Sequence, residues 1–132
     1  MAPILAELTA MRPERRTVVV VEDEILTRMT VAEELRGRGF NVVEARSADE
    51  AVCLLQSQVP VSLVITDVQL PGSMDGIALA RLLRQTRPEL KVIIASGNVS
   101  FEPGGDIADA FFPKPYALAK MVKCVEALLA PP

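Results

Sequence analysis

Five short apolar runs recur along the chain, each followed by a stretch with helical spacing or by a turn, and this alternation constrains the fold more than any other feature. "TVVVV" (Thr17–Val21), "FNVVEA" (Phe40–Ala45), Leu63–Thr66, "KVIIAS" (Lys91–Ser96) and "AFFPKP" (Ala110–Pro115) are rich in β-branched and aromatic residues. Runs of this kind, bounded by turn residues, are expected of strands buried on both faces of a parallel sheet.

Between the runs, Ile25, Met29, Ala32 and Leu35 recur at helical spacing, with Gly37 and Gly39 placed to end a helix near Arg36. Ser47 to Gln58 reads as a second helix opened by a capping box, Ser47 with Glu50 three residues on. A third runs from Gly76 to about Thr86, and Leu118, Met121, Val122, Val125, Leu128 and Leu129 draw one apolar face of a closing helix. Strand and helix alternate from Thr17 to Ala130, which predicts an α/β domain over 17–130 with a parallel sheet covered on both faces. "GNVSFEPGGDIAD" (97–109) breaks the rhythm with Pro103-Gly104-Gly105 and no helical face, so a loop or one or two turns is expected there. Residues 1–16 read as a loosely held extension or short helix.

Composition narrows the chemistry. At 132 residues, half of them hydrophobic, the chain suits one domain with a real core. A net charge of -3 disfavours nucleic acid as a partner, although Arg12, Arg15 and Arg16 cluster near the start. With no histidine and only Cys53 and Cys124, zinc and histidine acid–base sites are out of reach. Both thiols fall in helix-like apolar patterns and are expected to be buried packing. No run approaches the ~18 apolar residues of a membrane span, and the start has no signal-peptide pattern, so a cytoplasmic protein with no membrane partner is expected.

"VSLVITDVQLPG" (61–72) runs apolar and then stops at Asp67. In open parallel sheets function gathers outside the carboxyl ends of the strands, where strand order reverses. The first strand ends in Glu22-Asp23-Glu24, the third in Asp67, the fourth in Ser96 and the fifth in Lys114. Singly, each has a structural explanation as a helix cap, turn former or solvated surface group. Together, crowded carboxylates repel unless a cation neutralises them, and a set of hard oxygens suits Mg²⁺. A carboxylate beside Mg²⁺ can act as nucleophile in phosphoryl transfer, with a lysine and a hydroxyl receiving the phosphoryl oxygens.

These residues, in this order, resemble the receiver domain of two-component response regulators over nearly the whole chain. The motifs are an acidic pair after the first strand ("VVVVEDE"), an Asp ending the third with a proline four residues on ("ITDVQLPG"), a DG before the third helix ("MDGIALA"), a hydroxyl residue ending the fourth ("IIASG") and a Lys-Pro after the fifth ("FFPKPY"). The resemblance implies a flavodoxin-like (βα)5 fold with strand order 2-1-3-4-5, the fourth helix short or disordered. It implies Asp67 as phosphoacceptor, Asp23 as direct Mg²⁺ ligand, Glu22 as a second acid acting through water, and the backbone carbonyl of Gln69 as a further ligand. Ser96 and Lys114 would bind the phosphoryl group, with Lys114–Pro115 a cis peptide. Ser96 and Phe111 would form the conformational switch, and Gln69 and Asn98 would tune phosphate lifetime. A histidine kinase or histidine phosphotransfer protein would be the phosphodonor and an unidentified protein the partner that reads the state. The domain would catalyse only its own phosphorylation and dephosphorylation. Because the sequence stops at Pro131-Pro132, a stand-alone receiver is expected.

The sequence departs from the family pattern at Phe111, where the family often has Tyr, and more in two other places. The 96–114 segment is shorter than usual, and "PGSMDG" after the third strand carries an extra residue, affecting Ser73 and Met74. An Asp-nucleophile phosphatase would need a carboxylate two residues after the nucleophile, where this chain has Gln69. The second reading that remains is a receiver-like binding module that signals without phosphorylation.

Overall fold

The computed structural model describes residues 7–97 and 106–131. Asn98 and most of the 97–109 segment lie outside the described residues. In chain order the elements are β1 (Thr17–Val21), α1 (Ile25–Gly37), β2 (Asn41–Ala45), α2 (Ala48–Gln56), β3 (Leu63–Asp67), α3 (Gly76–Thr86), β4 (Lys91–Ser96), β5 (Ala110–Pro113) and α4 (Leu118–Leu128). The strands form one parallel sheet in the order β2-β1-β3-β4-β5, a flavodoxin-like arrangement.

The apolar runs explain why the sheet is sandwiched. Along β1, Val19 and Val21 face one cluster with Val43, Val64 and Ile94 beneath α2 and α3, while Val18 and Val20 face the other with Val42, Leu63 and Ile65 beneath α1 and α4. Successive side chains of a strand point to opposite faces, so both faces need apolar residues. Each helix brings one inner stripe, for example Ile77, Leu79, Ala80 and Leu83 on α3 and Met121, Val122 and Val125 on α4.

The helix ends follow local chemistry. Ser47 Oγ accepts from the Glu50 N–H at 3.1 Å, while the Glu50 carboxylate returns to the N–H of Arg46, one residue outside the usual capping box, at 3.0 Å. Asp75 caps α3 by accepting from Ala78 N–H at 2.8 Å. The α2 helix stops at Gln56, two residues short of the predicted Gln58, because Ser57 Oγ turns back to the Leu54 carbonyl at 2.5 Å.

Two details correct the sequence reading, and a third places the short helix that begins the described residues. The buried stripe of α1 is Arg28, Val31, Ala32 and Leu35, whereas Ile25 and Met29 are exposed. Arg28 takes the inner position because its charge finds oxygen partners there, and the stripe rotates away from Ile25 and Met29. Cys53 is exposed rather than buried, since Ala51, Leu54 and Leu55 already fill the inward face of α2; Cys124 on α4 is half-buried, and both thiols are free. Residues 7–16 are fastened to the domain: Leu8 and Met11 pack on the core, and Asn41 accepts from Arg12 N–H at 2.9 Å and donates to the Arg12 and Arg15 carbonyls at 2.7 and 3.0 Å. No helix among the described residues is long and apolar enough to cross a membrane.

Candidate functional site

The strand order reverses at β1, which pairs with β2 on one side and β3 on the other. The first crossover therefore goes one way and the later ones go the other, and a crevice opens beyond the carboxyl ends of β1 and β3. Into it project the residues that follow Val21 and the last residue of β3, Asp67. One carboxylate oxygen from each of Glu22, Asp23 and Asp67 lies within 4.8 Å of the others. A cleft of ≈ 450 Å³ is lined by these three together with Gln69, Pro71 and Lys114.

Glu22 is the buried member, and every polar atom it has is held. Its N–H donates to the Ala45 carbonyl at 2.9 Å, its carbonyl accepts from Arg28 Nη1 at 3.0 Å, Oε2 accepts from Glu24 N–H at 3.1 Å and Oε1 from Lys114 Nζ at 2.6 Å. Burial pushes its carboxyl above the ordinary range and the neighbouring Asp67 adds to this, while Lys114 and the Glu24 N–H pull it back. Asp23 is exposed at the mouth. Glu24 takes the helix-cap role that an acid after the first strand can have: it caps α1, accepting from Thr27 N–H at 2.7 Å and Thr27 Oγ1 at 2.5 Å. Those bonds hold its carboxyl below the ordinary range.

Lys114 reaches the cleft from the end of β5, after a backbone bond from its N–H to the Ser96 carbonyl at 2.7 Å and before a cis Lys114–Pro115 peptide. Besides Glu22 it donates to Asp67 Oδ2 at 3.0 Å. Burial works against its charge, but the bonds to Glu22 and Asp67 overcome this and raise its pKa. Ser96 is buried at the end of β4, where the register sets it beside Pro113, and Asp67 stands beside Ala95. Phe111 is half-buried on β5 next to Ile94, packed against the cluster beneath α2 and α3.

Two supporting residues escaped the sequence reading. Arg28 carries no apolar signal; its only mark is standing in register with Val31, Ala32 and Leu35. Gly76, read from the sequence as part of a DG pair opening the third helix, packs directly behind the nucleophile candidate: a Cβ there would sit 1.8 Å from the Asp67 carbonyl oxygen and 2.9 Å from Val68 Cα. Its N–H donates to the Val68 carbonyl at 2.8 Å, closing the loop that β3 feeds. The longer loop is pinned at its tip, where Ser73 Oγ donates to Asp49 Oδ1 at 3.3 Å and Gly72 adopts φ +96°.

Chemically, the arrangement offers hard carboxylate oxygens for a divalent cation, an exposed path to Asp67, and an ammonium already beside it. Acids within 4.8 Å of one another repel, and Lys114 supplies one positive charge against three carboxylates.

Residues 18–126 match the response regulator receiver domain family. Among curated proteins, the sensor kinase CckA of Brucella abortus is 38% identical over 118 residues, which are 86% of this chain and 12% of that protein. The response regulator MprA of Mycolicibacterium vanbaalenii is 34% identical over 116 residues, 85% of this chain and 49% of that protein. The chain thus spans half or less of the length of these relatives. Among solved structures, the receiver domain of NtrX from Brucella abortus superposes with TM-score 0.75 at 32% identity, covering 85% of this chain and 97% of that one. The response regulator TrrA of Thermotoga maritima, in complex with Mg(2+)-BeF, superposes with TM-score 0.77 at 25% identity, covering 86% and 99%. Sequence match, sheet order and the composition of the crevice agree, and the chain belongs to the response regulator receiver domain family of two-component phosphorelay signalling.

Proposed function

We propose that this domain accepts a phosphoryl group on Asp67, in a reaction that depends on Mg²⁺, and passes the change to a protein partner. The observation that carries this reading is the meeting of Glu22, Asp23 and Asp67 within 4.8 Å with Lys114 bonded to two of them. The donor set fits magnesium, since it is all hard oxygen, from carboxylates and a backbone carbonyl, in an open cleft with room for waters. Glu22, Asp23, Asp67 and the Gln69 carbonyl would hold the ion, which would offset the charge of the carboxylates and of the incoming phosphoryl oxygens. The Mg(2+)-BeF complex of TrrA supports the assignment.

Asp67 is the nucleophile because it ends a buried strand and opens onto the cleft. Its carboxylate oxygen bonds to phosphorus as the bond to the donor's imidazole nitrogen breaks, and that nitrogen keeps the electron pair. Lys114 is within reach of Asp67 and neutralises the phosphoryl oxygens; Ser96 supplies a hydroxyl at the end of the adjacent strand. Movement of Ser96 toward the phosphoryl group and inward turning of Phe111 would convert the modification into a changed surface. Gln69 and Asn98 would set how long it lasts.

The donor is a histidine kinase or histidine phosphotransfer protein, met in the cytoplasm. Among the described residues the large hydrophobics that stand exposed are Ile25, Leu26 and Met29, all on α1. Leu26 lines a groove of ≈ 520 Å³ together with Thr30, Pro115 and Tyr116, and that groove shares Thr27 and Lys114 with the acidic cleft. An apolar patch at the lip of a reactive site suits a protein donor.

The test is an intact-mass measurement after incubation with acetyl phosphate, with and without Mg²⁺, on the wild type and Asp67→Asn. One phosphoryl adduct requiring both Mg²⁺ and Asp67 is expected. No adduct, and no binding of beryllofluoride, would leave the phosphorylation-independent module in its place.

A further inference from the structure

The edge of the sheet at β2 is closed by charged side chains that continue to the acidic cluster. β2 pairs with β1 alone, so its other edge would present unpaired backbone groups. Two of these are taken: Glu44 N–H donates to Glu7 Oε2 at 2.7 Å, and the Val42 carbonyl accepts from Arg36 Nη2 at 3.1 Å. Arg36 Nη2 also pairs with Glu7 Oε2 at 3.2 Å, and Arg36 Nη1 pairs with Glu44 Oε2 at 3.2 Å and Glu33 Oε1 at 3.0 Å. The other oxygen of Glu44, Oε1, holds Arg28 Nε at 3.1 Å, and Arg28 Nη1 ends on the Glu22 carbonyl at 3.0 Å. Charges alternate at each step from Glu7 to Arg28.

We propose that the N-terminal segment is a positioning element for the acidic cluster: Glu7, through Arg36 and Glu44, orients Arg28, and Arg28 fixes the turn that carries Glu22 and Asp23. This rests on the Mg²⁺-binding reading given above and extends it to residues that precede the 18–126 family match.

The near step is geometric. Arg28 spans from α1 to the first residue after β1, and its side chain is only 10% exposed, so its guanidinium has little water to fall back on. With Glu44 holding Nε, the guanidinium plane is set, and Nη1 has one direction in which to meet the Glu22 carbonyl. The far step is a matter of sharing. Glu44 divides its two oxygens between Arg28 and Arg36, and Arg36 divides its charge among Glu7, Glu33, Glu44 and the Val42 carbonyl. Without the Glu7 carboxylate, Arg36 leans more fully on Glu44, and Glu44 holds Arg28 less well. Glu7 is only 16% exposed at its side chain and Leu8 is packed on the core, so the segment presents this carboxylate in one place.

The experiment measures Mg²⁺ affinity by calorimetry for the full chain and for Glu7→Ala, Arg28→Met and the double variant. A Leu90→Val variant, altered at the far end of the sheet, controls for general loss of stability. Outer-shell partners of metal ligands typically matter tenfold or more, so Arg28→Met is expected to weaken Mg²⁺ about tenfold. Coupling over one further pair of residues predicts about threefold for Glu7→Ala, with Leu90→Val unchanged. Because both variants act through Glu44, the double should weaken binding by less than the product of the singles. Wild-type affinity in Glu7→Ala, or a double equal to the product, would overturn the proposal. A second readout needs no metal: hydrogen exchange of the Glu24 N–H, bonded to Glu22 Oε2 at 3.1 Å, should quicken in both single variants. If the wild type takes up no Mg²⁺, the metal reading fails and the exchange rates alone decide this proposal, unchanged rates overturning it.

Discussion

Lys114 Nζ sits 2.6 Å from Glu22 Oε1 and 3.0 Å from Asp67 Oδ2, so one ammonium occupies the space between two of the carboxylates that a divalent ion would need. On the proposed function, the lysine would compete with Mg²⁺ for Glu22 and would be wanted beside Asp67 once a phosphoryl group arrives. Lys114→Met should therefore tighten Mg²⁺ binding several-fold while slowing adduct formation from acetyl phosphate about a hundredfold, the usual loss when one preorganised donor to a transition state is removed. Calorimetry and timed mass spectra read the two effects on the same sample. If both fell together, the lysine would be helping to hold the metal site rather than competing for it.

Gly76 gives a prediction from contact alone. Its missing Cβ would lie 1.8 Å from the Asp67 carbonyl oxygen, a backbone atom that can move only by shifting β3 or α3. Gly76→Ala is expected to cost about 2–3 kcal/mol by overpacking and to slow phosphorylation of whatever remains folded. Gly37, the last residue of α1, has open space around it and no positive φ, so Gly37→Ala should stabilise by about 0.5 kcal/mol through the unfolded chain. Urea unfolding of the pair separates the two cases. Equal and small effects would mean that the loop behind Asp67 yields.

The place of the candidate site is legible in the sequence because the strand ends are marked by abrupt changes from apolar to acidic or hydroxyl residues. Asp67 and Ser96 stand out for that reason, and Lys114 by its place after a short strand. What was not legible depends on which face a helix turns inward. Ile25 and Met29 fit the apolar period of α1, yet they are 55% and 46% exposed, because Arg28 takes the inner position to meet Glu44 and the Glu22 carbonyl. Periodicity cannot register a buried arginine, whose burial rests on partners distant in sequence. Cys53 was misread for a related reason: its neighbours Ala51, Leu54 and Leu55 already complete the inward face. The hold on residues 7–16 depends on Asn41, a residue with no apolar signal whose bonds span 26 to 29 positions in sequence.

The Glu7 carboxyl is raised from its ordinary value of 4.5, first because burial removes its water; the Glu44 N–H pulls it down, the Glu44 carboxylate pushes it up, and Arg36 and Arg28 lower it again. Between 4.5 and the raised value the folded protein holds more protons than the unfolded one, so this group's contribution to stability is largest below 4.5 and declines as pH rises through the folded value. Glu7→Gln lacks that decline. Urea unfolding from about pH 4 to pH 7 should accordingly find the wild type losing ground to Glu7→Gln as pH increases. A wild type that gains on Glu7→Gln over the same range would mean that the pairing with Arg36 outweighs burial.

The exposed patch on α1 makes a prediction that separates docking from chemistry. Leu26 is 69% exposed and its neighbour on the surface, Met29, also faces water, while Tyr116 across the groove is braced edge-on by Phe112 at 5.8 Å between ring centroids. None of these side chains contributes a ligand atom to the acidic cluster. Leu26→Glu and Met29→Glu should change stability by no more than about 0.5 kcal/mol, as surface substitutions do. They should also leave acetyl phosphate labelling at wild-type rates, because a small donor needs only the cleft. Transfer from a phosphorylated histidine kinase or phosphotransfer protein should fall about tenfold or more, since a charge placed in the apolar centre of an interface disturbs the contacts that carry its affinity. Parallel rate measurements with the two kinds of donor decide the matter: equal loss with both would place the patch in the chemistry of Asp67, and loss with neither would send the donor to another face.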